Sequence, residues 1–245
     1  MRAPMRALGI RPASLAVHVG GTACPRAARP IGPNTSELWT HSFDYDLFMA
    51  TKDAGTRTGT AVFLDEGVPA HPDYARRGHR PYSRAERYYP ELRRFLDAFE
   101  RGTGLAVVVA GHPRTDHKEL SDDFGKRRTI RGRTAELTRD SDAVITHSST
   151  ATAFAVLFGK PVVLATSADL RASPQAPLIE AMARSLNKRP LDLAQPELAD
   201  WKAELVVDEK AYADYRSRYV KKDGTPEKPL WDIVADSLGL PEASS

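Results

Sequence analysis

The chain has 245 residues, of which 41% are hydrophobic and 27% charged, a soluble composition with enough apolar material for a substantial core. No apolar run approaches the roughly 18–20 residues that span a bilayer, the opening MRAPMRALGIRP lacks an apolar core of signal-peptide length, and the one cysteine, Cys24, excludes an intrachain disulfide and a zinc framework. A net charge of +3, carried in short clusters such as Lys126-Arg127-Arg128 and Lys221-Lys222, lacks the basic stripe of a nucleic-acid-binding surface and suits anionic small ligands or an anionic membrane face. A cytoplasmic protein that does not bind nucleic acid is expected.

The first 33 residues are rich in Ala, Arg, Pro and Gly and hold one apolar stretch, SLAVHVGG, that reads as a strand. SELWTHS reads as a strand running into the helical FDYDLFMAT, and TAVFLDEG as an apolar strand that stops on two carboxylates and a glycine. In the segment from Arg84 to Arg101, Tyr88, Leu92, Phe95, Leu96 and Phe99 fall at offsets 0, 4, 7, 8 and 11, a stripe of period 3.6 that predicts a helix ended by Gly102 and Gly104. LAVVVAGHP is a β-branched strand stopped by Gly and Pro. Beyond a polar loop come a short strand in RTIRGR, a short helix in TAELTRDS capped by Thr134, the strand AVITHS, the helix STATAFAVLFG and the strand PVVLATS. PLIEAMARSL, EKAYADYRSRYV and WDIVADSLG read as further helices. Apolar strands alternating with helices predict an α/β fold, a Rossmann-like parallel sheet flanked by helices, whose ligands bind outside the carboxyl ends of the strands. The expected organisation is an irregular segment over 1–33, one Rossmann-like nucleotide-sugar-binding domain over 34–240 and a frayed tail over 241–245.

Three of the predicted strands end on polar groups. Asp65-Glu66-Gly67 follows TAVFL, where a carboxylate held above a crevice can take a proton from an attacking hydroxyl; a plain turn is the competing reading. Gly111-His112-Pro113 follows LAVVVA, where the imidazole can bond a phosphate or instead satisfy loop backbone. Another His-Pro dipeptide, His71-Pro72, is set aside because it does not directly follow a strong strand. His147-Ser148-Ser149-Thr150 joins a strand to a helix; its hydroxyls can simply cap the helix or, with free N–H groups, form an anion site. Arg114 can pair with a donor carboxylate or phosphate, or lie exposed. The aromatics Phe43, Tyr45, Tyr88, Tyr89 and Tyr212 read as core, and the acids of Phe43-Asp44-Tyr45-Asp46 as helix N-terminal charge or, alternatively, as acceptor contacts.

The order Asp-Glu-Gly, His-Pro, Ser-Ser resembles the motif set of bacterial sialyltransferases and of some Kdo transferases of GT-B architecture. The segments HSFDYDLF, AVFLDEGVPAHPDY, YYPELRRFLDAFE, VVVAGHPR and RGRTAELTRDSDAVITHSSTATAFAVLFGKPVV are also similar to a group of surface-carbohydrate biosynthesis proteins, over residues 36 to 167. The resemblance implies the donor-binding half of a GT-B glycosyltransferase acting in bacterial surface polysaccharide biosynthesis, capsule or lipopolysaccharide. It implies transfer from a CMP-activated sialic acid or Kdo to the hydroxyl of a glycan or glycolipid acceptor, with no cofactor and no metal. In the implied roles Asp65 is the general base and Glu66 its acidic neighbour, while Gly111, His112, Pro113, Arg114, His147, Ser148 and Ser149 bind the donor. Thr150 joins them on the helix-start argument alone. The family places such enzymes in the cytoplasm or peripherally at the inner face of the membrane. Little chain precedes these segments, so most of the acceptor-facing domain is expected to be absent or supplied by a separate domain or subunit. The competing functions are a sugar-nucleotide epimerase or a CDP-glycerol-type transferase using UDP or CDP, and a non-catalytic nucleotide-binding subunit.

Overall fold

The computed structural model describes residues 11–21, 31–114 and 123–240; Cys24, the opening ten residues, most of the polar loop after Arg114 and the tail 241–245 lie outside them. The chain divides into two units, residues 48–212 and residues 1–47 together with 213–245.

In the smaller unit β1 (Leu15–Val19) pairs in parallel with β2 (Ser36–Thr40), with Leu15 opposite Ser36, as a two-stranded sheet of its own. Thr40 ties the pair by donating its hydroxyl to the His18 carbonyl (3.0 Å). Helix α1 (Phe43–Thr51) starts in this unit, and α10 (Leu230–Ser237) packs on β2. The acids of the Phe43–Asp46 segment are structural neighbours of the C-terminal region. The Asp46 carboxylate accepts the Leu230 N–H (3.1 Å) at the start of α10, and Tyr45 donates its hydroxyl to Glu227 (2.9 Å). Buried His41 adds a bond from Nε2 to the Lys228 carbonyl (2.7 Å).

The larger unit holds six parallel strands: β3 (Thr60–Leu64), β4 (Ala106–Ala110), β5 (Thr129–Ile130), β6 (Ala143–Thr146), β7 (Val162–Thr166) and β8 (Leu191–Asp192). Their spatial order is β5-β4-β3-β6-β7-β8. The connecting helices are α2 (Asp73–Arg77), α3 (Ala85–Thr103), α4 (Thr134–Asp140), α5 (Thr152–Leu157), α6 (Ala168–Arg171), α7 (Ala176–Ser185) and α8 (Trp201–Glu204), followed by α9 (Glu209–Tyr215) across the unit boundary. The chain runs outward from β3 through β4 to β5, returns to place β6 on the other side of β3, and continues outward to β8. This is the doubly wound Rossmann-like order, with its reversal between β3 and β6.

Near-continuous apolar strands are buried on both faces, as a parallel sheet requires. Alternation directs Ala61, Phe63, Val107, Val109, Ala143, Ile145, Val163 and Ala165 into one core with α3. The α3 stripe of Tyr88, Leu92, Phe95, Leu96 and Phe99 is fully buried there, as its 3.6 period predicts. Val62, Leu64, Val144, Val162 and Leu164 turn to the opposite face and are equally buried, while α4 lies on β3 and α5 on β6.

The structure corrects two helix-end readings. Thr134 is the first residue of α4, whose N-cap is Arg133 with no side-chain cap bond. Gly102 lies inside α3, and Gly104 alone ends it, adopting φ 75° and donating its N–H to the Glu100 carbonyl (2.8 Å). Gly102 has a different reason to lack a side chain. Trp201 of α8 packs edge-on against Phe95 and Phe99, and a Cβ at 102 would meet its Cδ1 at 2.1 Å. The short elements α2, α6, α8 and β8 carry no periodic signal of their own.

Gly102→Ala is expected to lower stability by about 1–3 kcal/mol, since the added Cβ would push Trp201 off its contacts with Phe95 and Phe99; thermal melting measures this. Burial first, aided at Tyr45 by the Glu227 carboxylate, pushes the phenols of Tyr45, Tyr74 and Tyr215 up to about 12. Each holds its proton more tightly folded than unfolded, so their contribution to stability is complete below the ordinary tyrosine pKa of about 10 and is lost as pH rises through about 12. Tyrosinate absorbance should therefore rise at higher pH in the folded chain than in urea, with melting temperature falling over the same interval.

Candidate functional site

The strand order reverses between β3 and β6, the point at which doubly wound sheets take ligands in a crevice beyond the carboxyl ends, and there the three polar motifs meet. β3 is the central strand, with β4 on one side and β6 on the other. The two residues after β3 are Asp65 and Glu66, and successive side chains in an extended chain point opposite ways. One carboxylate reaches the loop after β4 and the other reaches the loop after β6.

Asp65 is 6% exposed. Its Oδ2 accepts the His112 N–H (3.2 Å), and its Oδ1 accepts the Gly67 N–H (2.9 Å), closing a turn in which Gly67 takes φ 60°. Only glycine adopts that conformation without a Cβ penalty, which accounts for the Asp-Glu-Gly order. Gly111, just before the histidine, is buried and donates its N–H to the Ile130 carbonyl of β5 (2.9 Å).

Glu66 holds the other side. Its Oε1 accepts from the Thr146 hydroxyl (3.1 Å), the His147 N–H (2.9 Å) and the Ser148 N–H (2.8 Å). The Ser148 hydroxyl can donate to Glu66 Oε2 (3.2 Å) or to Gln175 Oε1 (3.0 Å). Two of the backbone N–H groups expected to face a phosphate therefore face this carboxylate. Ser149 N–H donates to the Thr146 hydroxyl (3.2 Å), and the Ser149 hydroxyl accepts the Ala151 N–H (3.3 Å) in the role of a local cap. Thr150, next in the loop, is exposed.

His147 belongs to the core. It is 1% exposed, its Nδ1 donates to the Ala165 carbonyl of β7 (2.7 Å), and in the neutral ring its Nε2 accepts the Tyr88 hydroxyl of α3 (2.7 Å). The Tyr88 phenol, enclosed in the core with the Asp65 and Glu66 charges nearby, is pushed well above the ordinary tyrosine range, burial being the larger cause. The histidine thus links β6, β7 and α3 from inside the sheet.

His112 is half-buried, with Nδ1 accepting the Arg114 N–H (3.2 Å) two residues on. Pro113 and Arg114 are exposed, and the Arg114 guanidinium pairs with Asp73 of α2 (3.1 Å). The sequence reading missed His71. Its ring lies edge to face against His112 with centroids 4.6 Å apart, although its His-Pro dipeptide does not directly follow a strand. It also missed Tyr88 and Gln175 as partners of the third motif. Asp65 is thus joined to His112, and Glu66 to the His147–Ser148 backbone; Arg114 is turned to Asp73, and Thr150 lies on the rim. Among the described residues, no group of three or more His, Cys, Asp or Glu is placed to hold a metal ion, and no helix is long and apolar enough to cross a membrane.

No protein-family description matches the chain, and no curated protein is detectably similar to it. Among solved structures it is similar to the glycotransferase of kitacinnamycin, at 15% identity and a TM-score of 0.41, over 77% of this chain and 46% of that one. It is also similar to the spinosyn forosaminyltransferase SpnP, at 16% identity and a TM-score of 0.35, over 83% of this chain and 46% of that one. The chain spans about half the length of these structures.

Glu66→Ala would leave the His147 and Ser148 N–H groups without their carboxylate, at a cost of about 2–4 kcal/mol. At ~2–4 °C per kcal/mol for a chain of this size, calorimetry should show a melting temperature lower by roughly 5–15 °C. Glu66→Gln keeps an acceptor at the same place and should recover most of the loss. An unchanged melting temperature in the alanine variant would mean that the carboxylate does not hold the loop.

Proposed function

We propose that the chain is a glycosyltransferase, or the donor-binding half of one with GT-B architecture, which binds a nucleotide-activated sugar at the β3–β6 reversal. The observation that carries this reading is the junction made by Asp65 and Glu66, which gathers the His-Pro turn and the serine loop around one crevice. Doubly wound sheets bind nucleotides at such a reversal. The motif resemblance supplies the finer terms: a CMP-activated acidic sugar, sialic acid or Kdo, and a glycan or glycolipid acceptor of surface polysaccharide synthesis. Work at the inner face of the membrane, and an acceptor-facing part contributed by another domain or subunit, belong to the same proposal.

In this reading the acceptor hydroxyl attacks the anomeric carbon while a carboxylate takes its proton, and the bond to the CMP phosphate oxygen breaks. Asp65 is the proposed base. Backbone N–H groups of Gly67 and His112 fix the orientation of its carboxylate. Glu66 supports the site by shaping the serine loop. His112 and Arg114 bind the departing phosphate, with the hydroxyls of Ser149 and Thr150 at the other side of the crevice. No metal is assigned a part. Glu66 already bonds the N–H groups of His147 and Ser148, so phosphate recognition in this site rests on side chains more than on a bare helix start.

Calorimetric titration with CMP, UDP, CDP and GDP is the test. CMP should bind preferentially, and His112→Ala and Ser149→Ala should each weaken it by about ten- to 150-fold, the loss of one hydrogen bond to a charged group. A preference for UDP or CDP would replace the donor assignment by an epimerase or CDP-glycerol-type chemistry. CMP binding without transfer, even with an acceptor-domain partner present, would leave a nucleotide-binding subunit.

A further inference from the structure

The larger unit contains the tripeptide pattern His-Pro-X twice, as His71-Pro72-Asp73 after β3 and His112-Pro113-Arg114 after β4. The two turns are built alike. In each, the imidazole Nδ1 accepts the backbone N–H of the residue after proline, from Asp73 in one and from Arg114 in the other, both at 3.2 Å. Proline has no N–H to compete, and its fixed φ brings the following N–H under the ring. An Nδ1 that accepts cannot carry the proton of a neutral ring, so both imidazoles are held as the Nε2–H tautomer.

The two rings lie edge to face at 4.6 Å between centroids. The third residues of the two turns are joined as well, Arg114 Nη1 to Asp73 Oδ1 at 3.1 Å, while Asp73 Oδ2 lies 3.8 Å from His71 Nδ1. The turn that carries His112 is fixed through Asp65, so the pair is anchored to the carboxyl edge of the sheet. Two imidazoles and a guanidinium are thereby collected beyond the carboxyl end of β4, on turns that share an ion pair. The His71 side chain is 20% exposed and the Arg114 side chain 49%, so the group is open to a ligand and not sealed in the core.

We propose that His71 is a second anion-binding imidazole which, paired with His112, grips the phosphate of the bound nucleotide. This rests on the reading of the crevice as a nucleotide-sugar donor site and adds to it a residue from a different loop. A phosphate offers several acceptor oxygens to the two N–H donors, which stabilise the charge it carries as it leaves. The ring–ring contact gives His71 its place beside His112, and the Asp73–Arg114 pair keeps the two turns from separating.

The experiment is calorimetric titration of the full chain, His71→Ala, His112→Ala and His71→Gln with three probes: CMP, cytidine and inorganic pyrophosphate. Histidine proton NMR is recorded during the pyrophosphate titration. His71→Ala should weaken CMP and pyrophosphate by about ten-fold and leave cytidine unchanged, because cytidine carries no phosphate. His71→Gln retains a side-chain N–H donor and should recover part of that loss. Pyrophosphate should shift the ring resonances of both histidines in the wild-type chain. Wild-type affinity for CMP and pyrophosphate in His71→Ala would overturn the proposal, as would an equal loss of CMP and cytidine, which would mark His71 as a packing residue. If pyrophosphate binds through both histidines but no nucleotide does, the imidazole pair stands and the nucleotide-sugar reading of the crevice falls. If pyrophosphate neither binds nor shifts either ring, the pair is not an anion site.

Discussion

The larger unit depends on a pair of adjacent carboxylates at the end of its central strand. In a parallel sheet the strand order brings the carboxyl ends together, but nothing in the ladder ties the loops that leave them. Asp65 and Glu66 supply that tie because consecutive residues of an extended chain face opposite ways. One side chain bonds the backbone leaving β4, and the next bonds the backbone leaving β6. Moving the acidic pair by one residue would interchange the two directions and break both sets of bonds. The shape of the crevice is thus set by backbone alternation, and the rest of the site is arranged around it.

This arrangement divides tasks among motifs that look equivalent in the sequence. The serine loop is held from within: its leading histidine sits in the core between Ala165 and Tyr88, and its first N–H groups face Glu66. The His-Pro turns are held from behind, through Asp65 at the His112 backbone, and each ring's Nδ1 bonds its own turn. The first N–H groups on the β6 side already bond the Glu66 carboxylate, which leaves side-chain donors, the imidazoles and Arg114, on the β4 side. In the donor-binding reading, the sugar and the acceptor hydroxyl then lie nearer the acids, with the phosphate nearer the imidazoles and Arg114.

Much of this was legible in the sequence, and the remainder was hidden for definite reasons. The strands TAVFL, AVVVA, AVIT and VVLAT announce themselves as short apolar runs, and the α3 stripe by its period, because burial of a whole face repeats at regular intervals. That acid, imidazole and hydroxyls end neighbouring strands followed from the alternation of strands and helices. Which group each would bond did not follow. Glu66 finds its partners about eighty positions further along the chain, and Tyr88 meets His147 across 59. The distinction between a histidine at a crevice and one in a core depends on those distant partners, and local composition does not encode it. His71 was passed over because its dipeptide follows a turn and not a strand, although its repetition of the His112 pattern was visible. Gly102 reads as a helix terminator until Trp201, 99 residues away, is known to lie against it.

Both outer members of the six-stranded sheet are only two residues long, Thr129–Ile130 on one side and Leu191–Asp192 on the other. A parallel sheet exposes unpaired amides and carbonyls along its borders, and a long, flat border invites another chain to continue the ladder. Here the borders offer about 7 Å of extended backbone each, at ~3.3 Å per residue, too little to seat a foreign strand in register. The same brevity limits inward growth of the fold: an insertion that lengthened either border strand without adding a charge or proline would be expected to trade solubility for additional pairing. Concentrating the longer strands in the middle therefore places the most extensively paired part of the sheet beneath the candidate site and leaves little edge for further pairing.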